Sequence, residues 1–125
     1  MDEWISERDI NAHRLLFSAR FIGKDLLVII HGGDESHIGG AALGFSTASS
    51  HSDSRMISVN TITAPGHKDY VVATSVAERL CRELGVNVLV SVGIHVSNAP
   101  RQVIEDIVRL VDEMVDEFLA VSGRR

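Results

Sequence analysis

Three features of this 125-residue chain predict an α+β protein, a single mostly antiparallel sheet in the order β-β-β-β-α-β-α with two amphipathic helices packed on it. Four segments between His13 and Ile62 have strand character and are separated by clusters rich in glycine, aspartate and serine. Two later segments, after His67 and after Pro100, repeat apolar residues at intervals of three and four. Between those helices runs a valine-rich strand, Val86 to Val96. With no repeat or linker, residues 1–125 read as one domain, long enough to bury a core.

Residues 1–11 have weak patterning and read as a loose lead-in. From His13 the chain alternates, with Leu15, Phe17, Ala19 and Phe21 on one side and Arg14, Leu16, Ser18 and Arg20 on the other. That period of two is a half-buried strand. Ile22-Gly23-Lys24-Asp25 supplies turn chemistry, so Leu26 to His31 returns as a hairpin. Every position from Leu26 to Ile30 is apolar, which predicts a central strand covered on both faces.

Gly32 to Gly40 holds four of the ten glycines together with Asp34, Glu35 and His37. It reads as a polar loop longer than a tight hairpin requires, and as the first suspect for a site. Ala41 to Thr47 is a third strand, with Leu43 and Phe45 on one face and the small residues Ala42, Gly44 and Ser46 on the other. Small side chains leave room for a ligand or another backbone. A polar turn, Ala48 to Ser54, leads to a fourth strand, Met56 to Ile62, which Thr63-Ala64-Pro65-Gly66 ends.

The first helix opens near His67-Lys68-Asp69, with Asp69 as the expected N-cap and Gly85 in the C′ position. Ala73, Val76, Ala77, Leu80 and Leu84 form its apolar stripe. In the fifth strand Val86, Val88, Val90, Val92 and Ile94 share one face, and Asn87, Leu89, Ser91, Gly93 and His95 share the other. Ser97 or Asn98 caps the second helix, with Pro100 in its first turn. Its stripe takes Val103 or Ile104, then Ile107, Val108, Val111, Met114 or Val115, Phe118 and Leu119. If both helices share one face, the other, with Ser91, Gly93 and His95, is free for a ligand or a second subunit.

Composition removes several functions. A net charge of −5, with scattered basic residues, argues against nucleic acid and anionic membrane. Cys81 is the only cysteine and sits in an apolar helical stripe, so neither a disulfide nor a cysteine metal cluster is expected. No apolar run reaches the length of a membrane span and the first residues are acidic, which predicts a cytoplasmic protein. Nucleophile-elbow, Walker and dinucleotide-binding motifs are absent.

Three histidines mark element ends: His37 in the glycine-rich stretch, His67 at the first helix and His95 at the close of the fifth strand. Imidazole is the commonest metal ligand, so His37, His67 and His95 could hold a divalent metal; they could equally be polar residues satisfied at turns. His13, His31 and His51 read as structural or surface residues, His31 being the one nearest to lining a site. Gly66-His67-Lys68-Asp69 has a second reading, as an anion site in which a helix start and Lys68 meet a phosphate; alternatively Lys68 is solvated and Asp69 only caps.

Gly32-Gly33-x-x-x-His37-Ile38-Gly39, His67-Lys68-Asp69 opening a helix, and Gly93-Ile94-His95-Val96 ending a strand together resemble the LpdD-like family. The resemblance runs from about Phe17 into the second helix. It implies a non-catalytic protein that binds prenylated FMN, or FMN itself, and stores it for or delivers it to a UbiD-type decarboxylase. It also implies a proteasome-assembly-chaperone-like fold, usually as a homodimer. Carried over by position, His37, Gly39, His67, Lys68, Asp69 and His95 become candidate cofactor contacts. The tricycle would lie against the small residues Ala42, Gly44, Ser91 and Gly93. The chain departs from the pattern at Gly40, where some relatives carry an acidic residue, while Asp34 and Glu35 precede the histidine instead. A histidine-liganded metal-dependent enzyme and a protein-assembly chaperone are the alternatives.

Overall fold

The computed structural model describes residues 3–10, 12–48, 55–65 and 68–122. The turn containing His51, the pair Gly66-His67 and the tail Gly123-Arg124-Arg125 lie outside the described residues. In chain order the elements are β1 (Glu3–Ile10), β2 (His13–Ile22), β3 (Asp25–Gly33), β4 (Glu35–Ala48), β5 (Arg55–Thr63), α1 (Asp69–Leu84), β6 (Val88–His95) and α2 (Arg101–Ser122). They make one six-stranded sheet ordered β1-β2-β3-β6-β4-β5. Only β3–β6 is parallel among its neighbouring pairs. The α+β architecture with a mostly antiparallel sheet is as the patterning predicts.

Two features correct the sequence reading. The expected lead-in is an edge strand, paired along its length with β2 from Glu3↔Arg20 to Ile10↔His13. Its inward face carries Trp4, Ser6, Arg8 and Ile10, so two polar residues mask the apolar alternation. Arg8 tolerates that face because its guanidinium reaches Glu113 and Glu117 of α2. The second correction concerns order: β3 and β4 are not neighbours, because β6 is inserted between them after the α1 crossover. A four-strand meander is therefore replaced by two antiparallel groups joined through β6.

Both helices cover the same face. Leu15, Phe17 and Ala19 of β2, Leu26, Val28 and Ile30 of β3, Val88, Val90 and Val92 of β6 and Ala42 of β4 are buried beneath them. On α1 the buried stripe is Ala73, Val76, Ala77, Leu80 and Cys81; burial pushes the Cys81 thiol pKa up. On α2 it is Ile107, Leu110, Val111, Met114, Val115 and Phe118, so Leu110 takes the place expected for Val108, which is exposed. Gly85 ends α1 in the left-handed conformation, its N–H donating to the Cys81 carbonyl. Phe118 packs on Phe17 and Phe21 with ring centroids 5.9 and 6.2 Å apart, seating α2 on the β2 side.

The opposite face is bare. Ile29, Leu89 and Leu43, on adjacent central strands, are 41%, 43% and 39% exposed. Strand β3 is central, as its unbroken apolar run predicts, yet only one of its faces is covered by the chain itself.

Candidate functional site

The glycine-rich stretch is no open loop. It is the end of β3, a turn at Asp34 and the start of β4, and it straddles the end of β6: Gly33 pairs with His95 on one side and Glu35 with His95 on the other. Gly33 has φ 88°, and a Cβ there would stand 2.1 Å from the His95 carbonyl oxygen. Asp34 clasps this corner. Its N–H donates to the His95 carbonyl at 2.6 Å, and its carboxylate accepts the Ser97 N–H at 2.6 Å and meets His13 Nδ1 at 3.0 Å. The Ser97 N–H, and then the His13 and His95 rings, hold the Asp34 carboxyl below the ordinary carboxylate range.

Beyond the turn, β4 bulges. Its register with β6 passes from Ser36↔Ile94 to Gly40↔Val92, so residues 37–39 stand opposite Gly93 alone. The bulged backbone lies directly over Gly93, where a Cβ would fall 1.4 Å from the His37 carbonyl oxygen. This kink aims the His37 ring at α1. Its Nε2 stands 3.2 Å from Asp69 Oδ2; since a carboxylate only accepts, that nitrogen carries the hydrogen. The other Asp69 oxygen accepts the Ile94 N–H at 3.1 Å. One carboxylate, only 10% exposed, thus ties the β4 bulge, the end of β6 and α1 together. Gly39 is buried against it, a Cβ there falling 2.0 Å from Asp69 Oδ2.

Asp69 is therefore not the N-cap. Lys68 holds that position without a side-chain cap hydrogen bond, and Asp69 sits inside the first turn with its carboxylate turned to the sheet. His37 and His95 meet edge to face at 6.0 Å between ring centroids. His67, the third histidine, lies outside the described residues. Among the described residues no group of three or more His, Cys, Asp or Glu side chains is arranged to hold a metal ion.

The expected small-residue surface does not exist as one patch. Ala41, not Ala42, stands beside Ser91 in the β4–β6 register, and Ala42 and Gly44 face α1. The bare face is floored instead by Leu27, Ile29 and Ser91, with His31, Ser36, His37 and Ile38 around a hollow of about 440 Å³. A neighbouring hollow of about 300 Å³ is lined by Glu35, His37, Ile38 and His95. His31 does line the site; its Nδ1 is 2.9 Å from Ser36 Oγ. Lys68 and His95 border a third hollow, on the helix side. Sequence reasoning missed Ile38, which is 78% exposed beside His37, and the Asp34 clasp. A lone isoleucine between histidine and glycine was the available signal for the first; nothing local announces the second.

The assembled site offers two imidazoles at the rim of an apolar sheet surface, which suits a flat ligand with a polar edge, while Lys68, without an ion-pair partner among the described residues, borders the helix-side hollow next to His95. No helix among the described residues is long and apolar enough to cross a membrane. No curated protein matches the chain in sequence. Among solved structures it is similar to a chain of a chaperone complex for yeast 20S proteasome assembly, with a TM-score of 0.54 and 14% identity over 92% of this chain and 99% of that one. That likeness is one of fold. In sequence, residues 9–122 match the prenylated flavin chaperone LpdD-like domain, and the chain belongs to that family.

Proposed function

We propose that this protein binds prenylated FMN without transforming it and hands it to a UbiD-class decarboxylase. One observation carries the reading beyond family membership: the His37 and His95 imidazoles stand beside hollows that open on an apolar sheet face. A flavin tricycle is planar and largely apolar, with hydrogen-bonding groups along one edge. It can lie over Leu27, Ile29 and Ser91 with that edge toward the imidazoles. Lys68, which shares the helix-side hollow with His95 and follows His67 in the sequence, supplies the cation for a phosphate reaching past His95, while Gly39 and Asp69 shape the wall that holds His37.

The bare face also supports a homodimer. Six strands about 4.8 Å apart, the shortest of them eight residues long at about 3.3 Å each, present at least roughly 750 Å². Each partner in a standard interface commits about 800 Å². A second copy over this face covers Ile29, Leu43 and Leu89 and roofs the flavin hollow.

Anaerobic titration with reduced prenylated FMN, and separately with FMN, tests the proposal. Retention of the cofactor with a visible absorbance change is expected, followed by activation of an apo-decarboxylase on mixing. His37→Ala and His95→Ala should each weaken retention about tenfold, near 1.4 kcal/mol. Protein that retains no flavin, or variants that bind as the native chain does, would overturn it.

A further inference from the structure

The helix-covered side holds a cleft that the flavin reading leaves unused. Arg79 of α1 and Asp116 of α2 form an ion pair that draws the two helices together. One turn before that pair a hollow of about 120 Å³ lies between the helices, lined by Val71, Val72, Ser75, Val76, Val108 and Val111. It continues into a larger hollow of about 280 Å³ under Ile104 and Ile107, with Lys68 at its mouth. From Lys68 to Val76 is eight residues of rise, about 12 Å at 1.5 Å each. The two hollows share Val72 and Val108, so the cleft is elongated along the helix pair and apolar along its walls.

Its charge is directional. Lys68 has no ion-pair partner among the described residues, while Asp69 beside it is already engaged with His37 and the Ile94 N–H. Asp112, exposed, lines the opposite end, toward the Arg79–Asp116 pair. A cation at one end and a carboxylate at the other orient an amphipathic anion with its head at Lys68.

We propose that the cleft between α1 and α2 binds a medium-chain monoanion, a single alkyl chain bearing a carboxylate or phosphate monoester, head at Lys68 and tail toward Ser75. The chain length follows from the roughly 12 Å of helix between Lys68 and Val76, about eight to ten extended carbons. The cleft borders the proposed flavin contacts at Lys68, Asp69 and His95 but is otherwise lined by residues which that reading does not use, and it does not depend on that reading.

Titration of isotope-labelled full-length protein with decanoate, decyl phosphate, decanol and butyrate, followed by NMR, tests it. Saturable shifts are expected at Val72, Ile107, Val108 and Val111 with decanoate or decyl phosphate, the tighter of the two naming the head group. Decanol and butyrate should bind at least tenfold more weakly. Lys68→Gln should remove the preference for acid over alcohol. Ser75→Leu, at an exposed position, should move the optimum to a shorter chain while leaving flavin uptake unchanged. Equal binding of decanoate and decanol, shifts centred on Ile29 and Leu89, or an unmoved optimum in Ser75→Leu would overturn the assignment.

Discussion

Gly93 has no room for a side chain, because the backbone of His37 lies across it. The consequence is measurable. Gly93→Ala must push the β4 bulge off β6, and we expect a loss of about 3 kcal/mol or more in denaturant unfolding. A change below about 0.5 kcal/mol would mean that the bulge is not held there. Asp34 gives a prediction of a different kind. Its carboxyl pKa is lowered by the Ser97 N–H and the two histidines, so its contribution is fully present above the ordinary aspartate value of about 3.9. It is lost as pH falls through the lowered folded value. The difference in Tm between native protein and Asp34→Asn should be constant near pH 6 and shrink toward zero in strong acid. A difference that grows on acidification would reverse the assignment.

Elements differ in how openly their sequences announce them. The alternation of β2, the valines of β6 and the helical stripes are readable because each buries one face against a single partner layer. Strand β1 is not, since Ser6 and Arg8 occupy inward positions and Arg8 is satisfied only by carboxylates more than a hundred residues away. Helix α2 illustrates the energetics of docking. Phe118 is fully buried and contacts both Phe17 and Phe21, so Phe118→Ala leaves a cavity over β2 and should cost about 3–5 kcal/mol in urea unfolding. A cost under about 1 kcal/mol would place α2 elsewhere.

The molecule as a whole is one-sided: a helical layer covers one face of the sheet and leaves the other apolar and exposed. A monomer with such a face is prone to pair, and a charge placed at its centre should prevent pairing. Leu89→Glu is expected to sediment as a monomer at concentrations where the native chain is a dimer, and to bind flavin less tightly because the hollow loses its roof. Native protein that stays monomeric at high micromolar concentration would remove the dimer from the account.

Residue patterning alone establishes the α+β layering, the inward parity of β2 and β6, the left-handed end of α1 and the presence of three short motifs in order along the chain. These are local or periodic properties, set by steric preference and by which side chains avoid water. The chain fold decides the rest. Inserting β6 between β3 and β4 carries the His95 end of one strand into the grip of the Asp34 turn. It also makes Gly93 the seat of a bulge and turns Asp69 from a cap into the tie for His37. Those outcomes depend on contacts between residues 25 to 63 positions apart, and no local period encodes them.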